Sequence, residues 1–369
     1  MNNSSFISKL LPTTMTTWPD LRLLFAADLA IDLGAANTRI FVPRRGVALN
    51  EASVIALREC DQQPVAIGRA AKLMNGRTPA SIRVVRPLRD GVIANVEAAT
   101  KMLTIFIRRA LVQPTLLRPR LLLCVPAEIT TVERRALEEV ARGAGARQVQ
   151  FIEEPVAAAT GVGLKTETAH ASAIIDIGAE TVDVAVLSAG RLIHAATCCT
   201  GGQAMDQAIA NHLRKQHHLE IGEETAEMIK LRLGSTAPHR SDRIIEAGGR
   251  SLEKLLPDRV SVASDEIQIA LKPVVTVIAR GVTKALEYLP PEVAADLFEA
   301  GVVLTGGAAQ LPGLAETLSA KIGIEARLAT NPTLAAVTGA ARILWPEAAT
   351  AEPWPLVEPA ISGATTTPD

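Results

Sequence analysis

Aromatic side chains are scarce in this 369-residue chain: they make up 3% of it, with one tyrosine, Tyr288. A surface that grips single-stranded nucleic acid needs repeated aromatic platforms, so that class of partner is excluded on composition. Charge excludes it as well. The 38 Lys and Arg against 39 Asp and Glu leave a net charge of −1, and no basic stripe stands out. Cysteine is also sparse: Cys60, Cys124, Cys198 and Cys199 have neither CxxC nor Cys/His ligand spacing, and the six histidines form no HExxH. The expectation is reduced cysteines in a cytosolic protein, with no metal held by protein ligands alone. No uncharged apolar run reaches the roughly 18 residues that cross a bilayer. Lys9 as the only positive flank and an early Pro12 make a poor signal peptide.

Core-forming residues are plentiful. The chain is 48% hydrophobic and longer than the roughly 250–300 residues at which one core stops growing, so two domains are expected. Residues 173–186 read as a buried strand ending on Asp176, a tight turn at Gly178, and a second strand with β-branched residues. An aspartate two residues before a glycine turn can hold a hydrated divalent cation while backbone N–H groups face a phosphate. The same phrase stands 144 residues upstream, at residues 29–42, with Asp32 and Gly34 in the matching places. Duplication predicts two similar domains whose hairpins face each other across one ligand. A strand-turn-helix follows at residues 302–309, through Gly306 and Gly307.

The remaining chain alternates strands with helices, as an α/β protein does. A meander of strands is expected over 29–57, a short helix over 67–74, and an amphipathic helix over 97–111 with Met102, Phe106 and Ile107 inward. Thr130 or Thr131 opens a helix with an acidic first turn, and Glu154 and Pro155 open another. After Gly201 a helix begins whose free N–H groups sit at the second hairpin turn. A helix over 223–233 carries Glu227 and Lys230 one turn apart, spaced to pair. Strands are expected over 243–262 and a helix over 273–289, starting at Pro273. Two apolar segments stand outside this scheme. Phe6, Ile7, Leu10 and Leu11 share a helical face and suit either a helix lying in a membrane interface or a disordered leader. Leu116 and Leu117, in a proline-bounded loop beside Arg118, are either packed on the neighbouring helix or displayed to lipid.

Taken in order, the two hairpins and the 302–309 turn resemble the two phosphate motifs and the adenosine motif of the actin-like ATPase superfamily. Residues 50–54, 76–79, 86–93, 124–126, 132–136, 143–146 and 152–159 narrow the resemblance to its bacterial cell-shape branch, the MreB proteins. The resemblance runs from about Asp28 to about Ala341. It implies an actin-like (ribonuclease H-like) duplicated two-lobed α/β fold with a nucleotide cleft between the lobes. Lobe I would take residues 28–168 with a return at 333–346 and lobe II residues 169–332, between a leader (1–27) and a disordered tail (347–369). The implied function is an ATP- and Mg²⁺-dependent filament former. It would be cytoplasmic, peripheral on the inner face of the cytoplasmic membrane, and would guide lateral wall synthesis with cell-wall elongation proteins.

Carried over by position, Asp32 and Asp176 would lie near Mg²⁺ and its waters. N–H groups of Ala35, Ala36 and Asn37 would hold one side of the phosphates, and those of Gly178, Ala179 and Glu180 the other. Glu227 and Lys230 would contact the nucleoside, and Gly306, Gly307, Ala308 and Ala309 would line the adenosine pocket. Glu154 would orient the attacking water with help from Thr181, and Leu116 and Leu117 would meet the membrane. The chain departs from the family's usual glycines at Ala179, Glu180 and Ala308, and from its threonine at Ala35. A Glu180 carboxylate about 5 Å from a phosphate would cost roughly 3 kcal/mol at an effective dielectric near 20. A slow ATPase, a nucleotide-binding scaffold with little or no hydrolysis, and a small-molecule kinase of the same superfamily are the functional readings that follow.

Overall fold

The computed structural model describes residues 26–111, 117–165, 168–237 and 243–345. Residues 1–25 of the expected leader, Leu116 and the expected tail over 347–369 lie outside the described residues. The chain opens with the meander β1 (Ala26–Leu33), β2 (Asn37–Val42) and β3 (Gly46–Ala52). A small sheet follows, of β4 (Ile55–Arg58), β5 (Pro64–Ile67) and β6 (Ile82–Val85), with α1 (Arg69–Leu73) beside it and the ribbon β7 (Leu88–Arg89) and β8 (Val92–Ile93) after it. Then come α2 (Val96–Leu111), β9 (Leu117–Val125), α3 (Thr131–Gly143), β10 (Gln148–Glu153) and α4 (Glu154–Gly161). The first five-stranded sheet has the order β10-β9-β1-β2-β3.

The pattern is then repeated. β11 (Ser172–Ile177), β12 (Val182–Ser188) and β13 (Arg191–Cys198) form a second meander, followed by α5 (Gly202–Gln216), β14 (Leu219–Glu220) and α6 (Glu223–Leu233). β15 (Ile244–Ser251) and β16 (Pro257–Ala263) pair as a hairpin, and α7 (Ser264–Leu286), α8 (Pro291–Ala300), β17 (Val302–Thr305), α9 (Leu314–Ile322), β18 (Ala326–Leu328) and α10 (Ala335–Leu344) complete the chain. The second sheet has the order β13-β12-β11-β17-β18. In both sheets the meander is antiparallel, and the first strand is parallel to the strand on its other side.

Alternation along β1 and β11 sorts their residues to two faces. Leu29, Ile31 and Leu33 pack with Met102, Phe106 and Leu137, and Ile175 and Ile177 with Met205 and Ile209. Ala30 and Ile174, from the opposite faces, meet in a third core with Ala157, Ala158, Ala336, Val337 and Ala340. The helix pair α4 and α10 therefore joins the inner faces of both sheets. Small residues allow the two helices to touch backbone to backbone. A Cβ on Gly339 would stand 1.7 Å from the Ala157 carbonyl oxygen, and one on Gly161 2.0 Å from that of Ala335.

The starts of β1 and α7 differ from the sequence expectation, and that of α3 falls within it. β1 begins at Ala26 rather than near residue 28, inside the stretch assigned to the leader. α3 begins after Thr130, whose hydroxyl accepts from the Glu133 N–H while the Glu133 carboxylate accepts from the Thr130 N–H, a reciprocal cap contributing about 1 kcal/mol. α7 starts at Ser264, not Pro273, because the Glu266 carboxylate accepts from the Ala263 N–H at 2.7 Å and fixes the start nine residues earlier. Pro273 then lies exposed inside a 23-residue helix, where the lost hydrogen bond is absorbed by the packing of Leu271, Val275 and Ile278.

Candidate functional site

The carboxyl ends of β1 and β11 open onto one cavity of about 510 Å³. This is where open α/β sheets place ligands. Its two sides are the hairpin turns, and the two are closed alike. The Gly34 N–H donates to the Asn37 carbonyl at 3.1 Å, and the Gly178 N–H to the Thr181 carbonyl at 2.9 Å. Ala35 and Ala36, and Ala179 and Glu180, occupy the turn tips, where their N–H groups donate to no acceptor among the described residues. Each turn is braced from behind. The Ser53 hydroxyl donates to the Gly34 carbonyl at 2.6 Å, and the Ser53 N–H to that of Ala36. On the other side the first N–H groups of α5, at Gly202 and Gln203, donate to the carbonyls of Gly178 and Ala179. The sequence reading leaves those N–H groups free; in the fold they are spent holding the turn.

The floor is acidic. Asp32, Glu154, Asp176 and Asp183 all line the cavity. Burial pushes the Glu154 carboxyl well above its ordinary range, and the charges of Asp32, Asp176 and Asp183 push it further. Glu154 makes no hydrogen bond or ion pair among the described residues, so its oxygens face the cavity uncommitted. Burial raises Asp176 to about 7, against a hydrogen bond donated by the Thr305 hydroxyl at 2.9 Å. Burial also raises Asp183, which accepts from the hydroxyls of Thr181 at 2.9 Å and Thr197 at 2.5 Å. Oxygen donors of this kind suit a hard, hydrated divalent cation. Among the described residues no three His, Cys, Asp or Glu side chains converge as a direct metal cage, so a cation here would keep most of its water.

The far wall is the turn after β17. Gly306, Gly307 and Ala308 line the cavity, whereas Ala309 is buried beneath them in the core. Gly306 has φ +89°, and a Cβ on it would stand 2.4 Å from the Ile177 carbonyl oxygen, so only glycine fits. Glu227 and Lys230 also line the cavity but do not pair with each other as their spacing suggested. Lys230 Nζ donates to the Gly202 carbonyl and to Asp206, each at 2.9 Å, while Glu227 reaches Lys72 at 2.5 Å. Burial lifts Asp206 to about 6 even with Lys230 beside it.

At the mouth, Arg77 meets Glu224 at 2.7 Å and Arg86 meets Glu223 at 2.6 Å. With Lys72 and Glu227 these make a clasp of three ion pairs between residues 72–86 and the start of α6. The Glu180 carboxylate accepts from the Asp90 N–H, so it is turned across the mouth. Neither Ala179 nor Glu180 has a positive φ, and the turn takes both side chains without backbone strain. Leu117 is exposed at the start of β9.

Sequence reasoning missed Arg39, Asp183, Asp206 and the clasp. Arg39 and Asp183 were within reach, since each follows its hairpin turn on the strand that faces the cavity. Asp206 and the clasp depend on elements that only the tertiary fold brings together.

Two five-stranded sheets of one topology, sharing a cavity between matched hairpin turns, define the actin-like class of α/β proteins. Within that class the chain belongs to the MreB/Mbl family, whose model matches residues 26–351. It is 43% identical over 331 residues to the cell shape-determining protein MreB of Escherichia coli (strain K12), covering 88% of this chain and 94% of that protein. The crystal structure of MreB5 of Spiroplasma citri bound to ADP superposes with a TM-score of 0.83 at 31% identity, covering 88% of this chain and 97% of that one. The MamK double helical filament has a TM-score of 0.72 at 20% identity, over 86% of this chain and 98% of that one, and shares the fold.

Proposed function

We propose that this chain binds ATP with Mg²⁺ in the cavity, hydrolyses it slowly, and assembles into filaments. The filaments would lie on the inner face of the cytoplasmic membrane and guide lateral cell-wall synthesis with wall-elongation proteins. The observation that carries the nucleotide reading is the pair of identically closed turns facing one acidic-floored cavity. In this reading the N–H groups of Ala35, Ala36 and Asn37 hold one side of the phosphates, and those of Gly178, Ala179 and Glu180 the other. Gly306, Gly307 and Ala308 flank the adenosine, with Glu227 and Lys230 at the nucleoside and Ala309 supporting the turn from below. Asp32 and Asp176 would hold Mg²⁺ through water, and the metal supplies charge neutralisation at the phosphate oxygens. Glu154 orients the attacking water. Thr181, whose hydroxyl proton goes to Asp183, keeps its lone pairs for that water. The domain division at 28–168 with 333–346, against 169–332, belongs to the same reading; α10 supports the return by packing on α4 and β1.

The test is co-sedimentation with anionic vesicles, with and without ATP and Mg²⁺, comparing the intact chain with Leu116→Ser plus Leu117→Ser. Nucleotide-dependent pelleting weakened by the double change is the expected result. Failure to pellet in every condition, with ATP binding intact, would reduce the reading to a soluble scaffold.

The clasp makes a second expectation. Each half-exposed pair contributes about 0.2–1 kcal/mol to keeping the mouth closed. Replacing Lys72, Arg77 and Arg86 together by Gln is expected to speed release of a fluorescent nucleotide by about threefold to tenfold at low salt. The difference should shrink at 1 M salt, where screening reaches roughly 3 Å. Equal release rates at low salt would remove the clasp from the nucleotide's path.

A further inference from the structure

One cation stands among the carboxylates of the cavity floor. Arg39 lies directly opposite Asp32 in the β1–β2 register, so both side chains leave the same face of the sheet, and Arg39 Nη1 is 2.6 Å from Asp32 Oδ2. Both are nearly enclosed, with side-chain exposures of 13% and 5%. The other cations lining the cavity, Lys72, Arg86 and Lys230, are held by Glu227, Glu223 and Asp206 away from this floor. The guanidinium has five N–H donors and spends one on Asp32, while its Nε is buried with no partner. A buried, unpaired donor on a fixed cation is costly unless a ligand completes it. Arg39 also stands two residues, about 7 Å along the strand, beyond Asn37 at the end of the first phosphate-facing turn. An arginine side chain spans that distance, and its planar fork matches a phosphate in a way an ammonium does not.

We propose that Arg39 is a built-in counter-charge for the polyphosphate, which lets this cleft hold a nucleotide with reduced dependence on a divalent cation. The proposal rests on the nucleotide reading above. A polyphosphate entering a cavity lined by four carboxylates meets repulsion that a bound metal ordinarily offsets. Here a fixed positive charge sits on the same floor, and it offsets part of the upward push that burial and the neighbouring carboxylates exert on Glu154 and Asp176. With the metal absent, Arg39 retains the phosphates; with it present, Arg39 and the metal share the neutralisation.

The test is the equilibrium affinity for a fluorescent ATP analogue in excess Mg²⁺ and in excess EDTA, for the unaltered chain, Arg39→Leu and Arg39→Lys. The unaltered chain is expected to lose less than about tenfold in EDTA. In Arg39→Leu the gap between the two buffers should widen by a further 10- to 100-fold, and Arg39→Lys should recover part of it. The same gap in all three chains overturns the proposal. So does an Arg39→Leu chain weakened equally in both buffers, since that marks support of Asp32 rather than contact with phosphate. If the unaltered chain binds nothing even in Mg²⁺, the nucleotide reading fails first and the proposal with it.

Discussion

Glu154→Gln is expected to lower phosphate release from ATP by about 10²- to 10³-fold while ATP still binds. The size follows from where the side chain stands. Glu154 is the first residue of α4, directly after β10, with its backbone fixed by Pro155 and by the alanines that pack α4 on α10. Its oxygens carry no partner among the described residues and line the same cavity as both hairpin turns. Glutamine keeps the shape and the packing but cannot accept a proton from the attacking water, so binding and turnover should separate. Phosphoryl transfer asks the protein for positioning and charge, and one misdirected water would forfeit most of what Glu154 is proposed to supply. The pH profile adds a second signature. Because burial and the neighbouring carboxylates hold Glu154 well above its ordinary range, its ionised form is gained as pH rises, and the rate of the unaltered chain should climb with pH before levelling. A turnover indifferent to Glu154→Gln would favour the scaffold reading. Phosphate transfer to an added sugar or acid would favour the kinase reading.

The turn at Glu180 bears on the same rate. Its carboxylate would oppose the phosphates if it faced them, but the side chain crosses the mouth to the Asp90 N–H. That removes the main sequence-level reason for expecting impaired binding. It also ties the second turn to the segment that carries Arg86.

Much of this architecture was legible because it is written in local patterns. The strand-Asp-x-Gly-turn-strand phrase is contiguous, so both hairpins and the carboxylates at their strand ends follow from it, and the actin-like fold follows from the resemblance that the two hairpins and the 302–309 turn carry. What stayed hidden lies between segments. Glu227 and Lys230 have the spacing of a helix pair, yet each finds a better partner on another element: Lys72 for one, Asp206 for the other. Intrahelical pairs on exposed faces contribute only about 0.2–0.5 kcal/mol, so a partly buried partner outcompetes them readily. Pro273 reads as a helix start because proline so often is one, and it loses to the Glu266 cap that starts the helix at Ser264, nine residues earlier. Arg39 looks like any solvated arginine on a short strand until its register places it against Asp32.

Without nucleotide or metal, the chain is expected to become less stable as pH rises from about 5 to 8. The sign comes from carboxyls whose folded pKa lies above the unfolded value. Asp176 is pushed to about 7 and Asp206 to about 6 from an ordinary 3.8, chiefly by burial, and Glu154 is raised as well. Between the unfolded and folded values the native state holds more protons than the unfolded chain, so the slope of stability against pH is negative there. Each tenfold gain in a carboxyl's proton affinity on folding corresponds to about 1.4 kcal/mol, and the window spans a few kcal/mol before relaxation. Carboxylates with lowered values, such as Glu266 beside His217 and His212, act in the opposite sense, but they titrate in more acidic solution and leave this window alone. Thermal unfolding of the apo protein at pH 5, 6, 7 and 8 should therefore show a midpoint falling by several degrees. Asp176→Asn should remove much of the fall and leave the part due to Asp206 and Glu154. Adding ATP and Mg²⁺ should flatten the slope, because cations on the cavity floor favour the ionised carboxylates and binding then releases protons, which an indicator dye in weak buffer can follow. A midpoint that rises from pH 5 to 8 in the apo protein would mean that the acidic floor is relieved by water or by movement of the turns. The raised proton affinity assigned to Asp176 would then not hold in the apo protein.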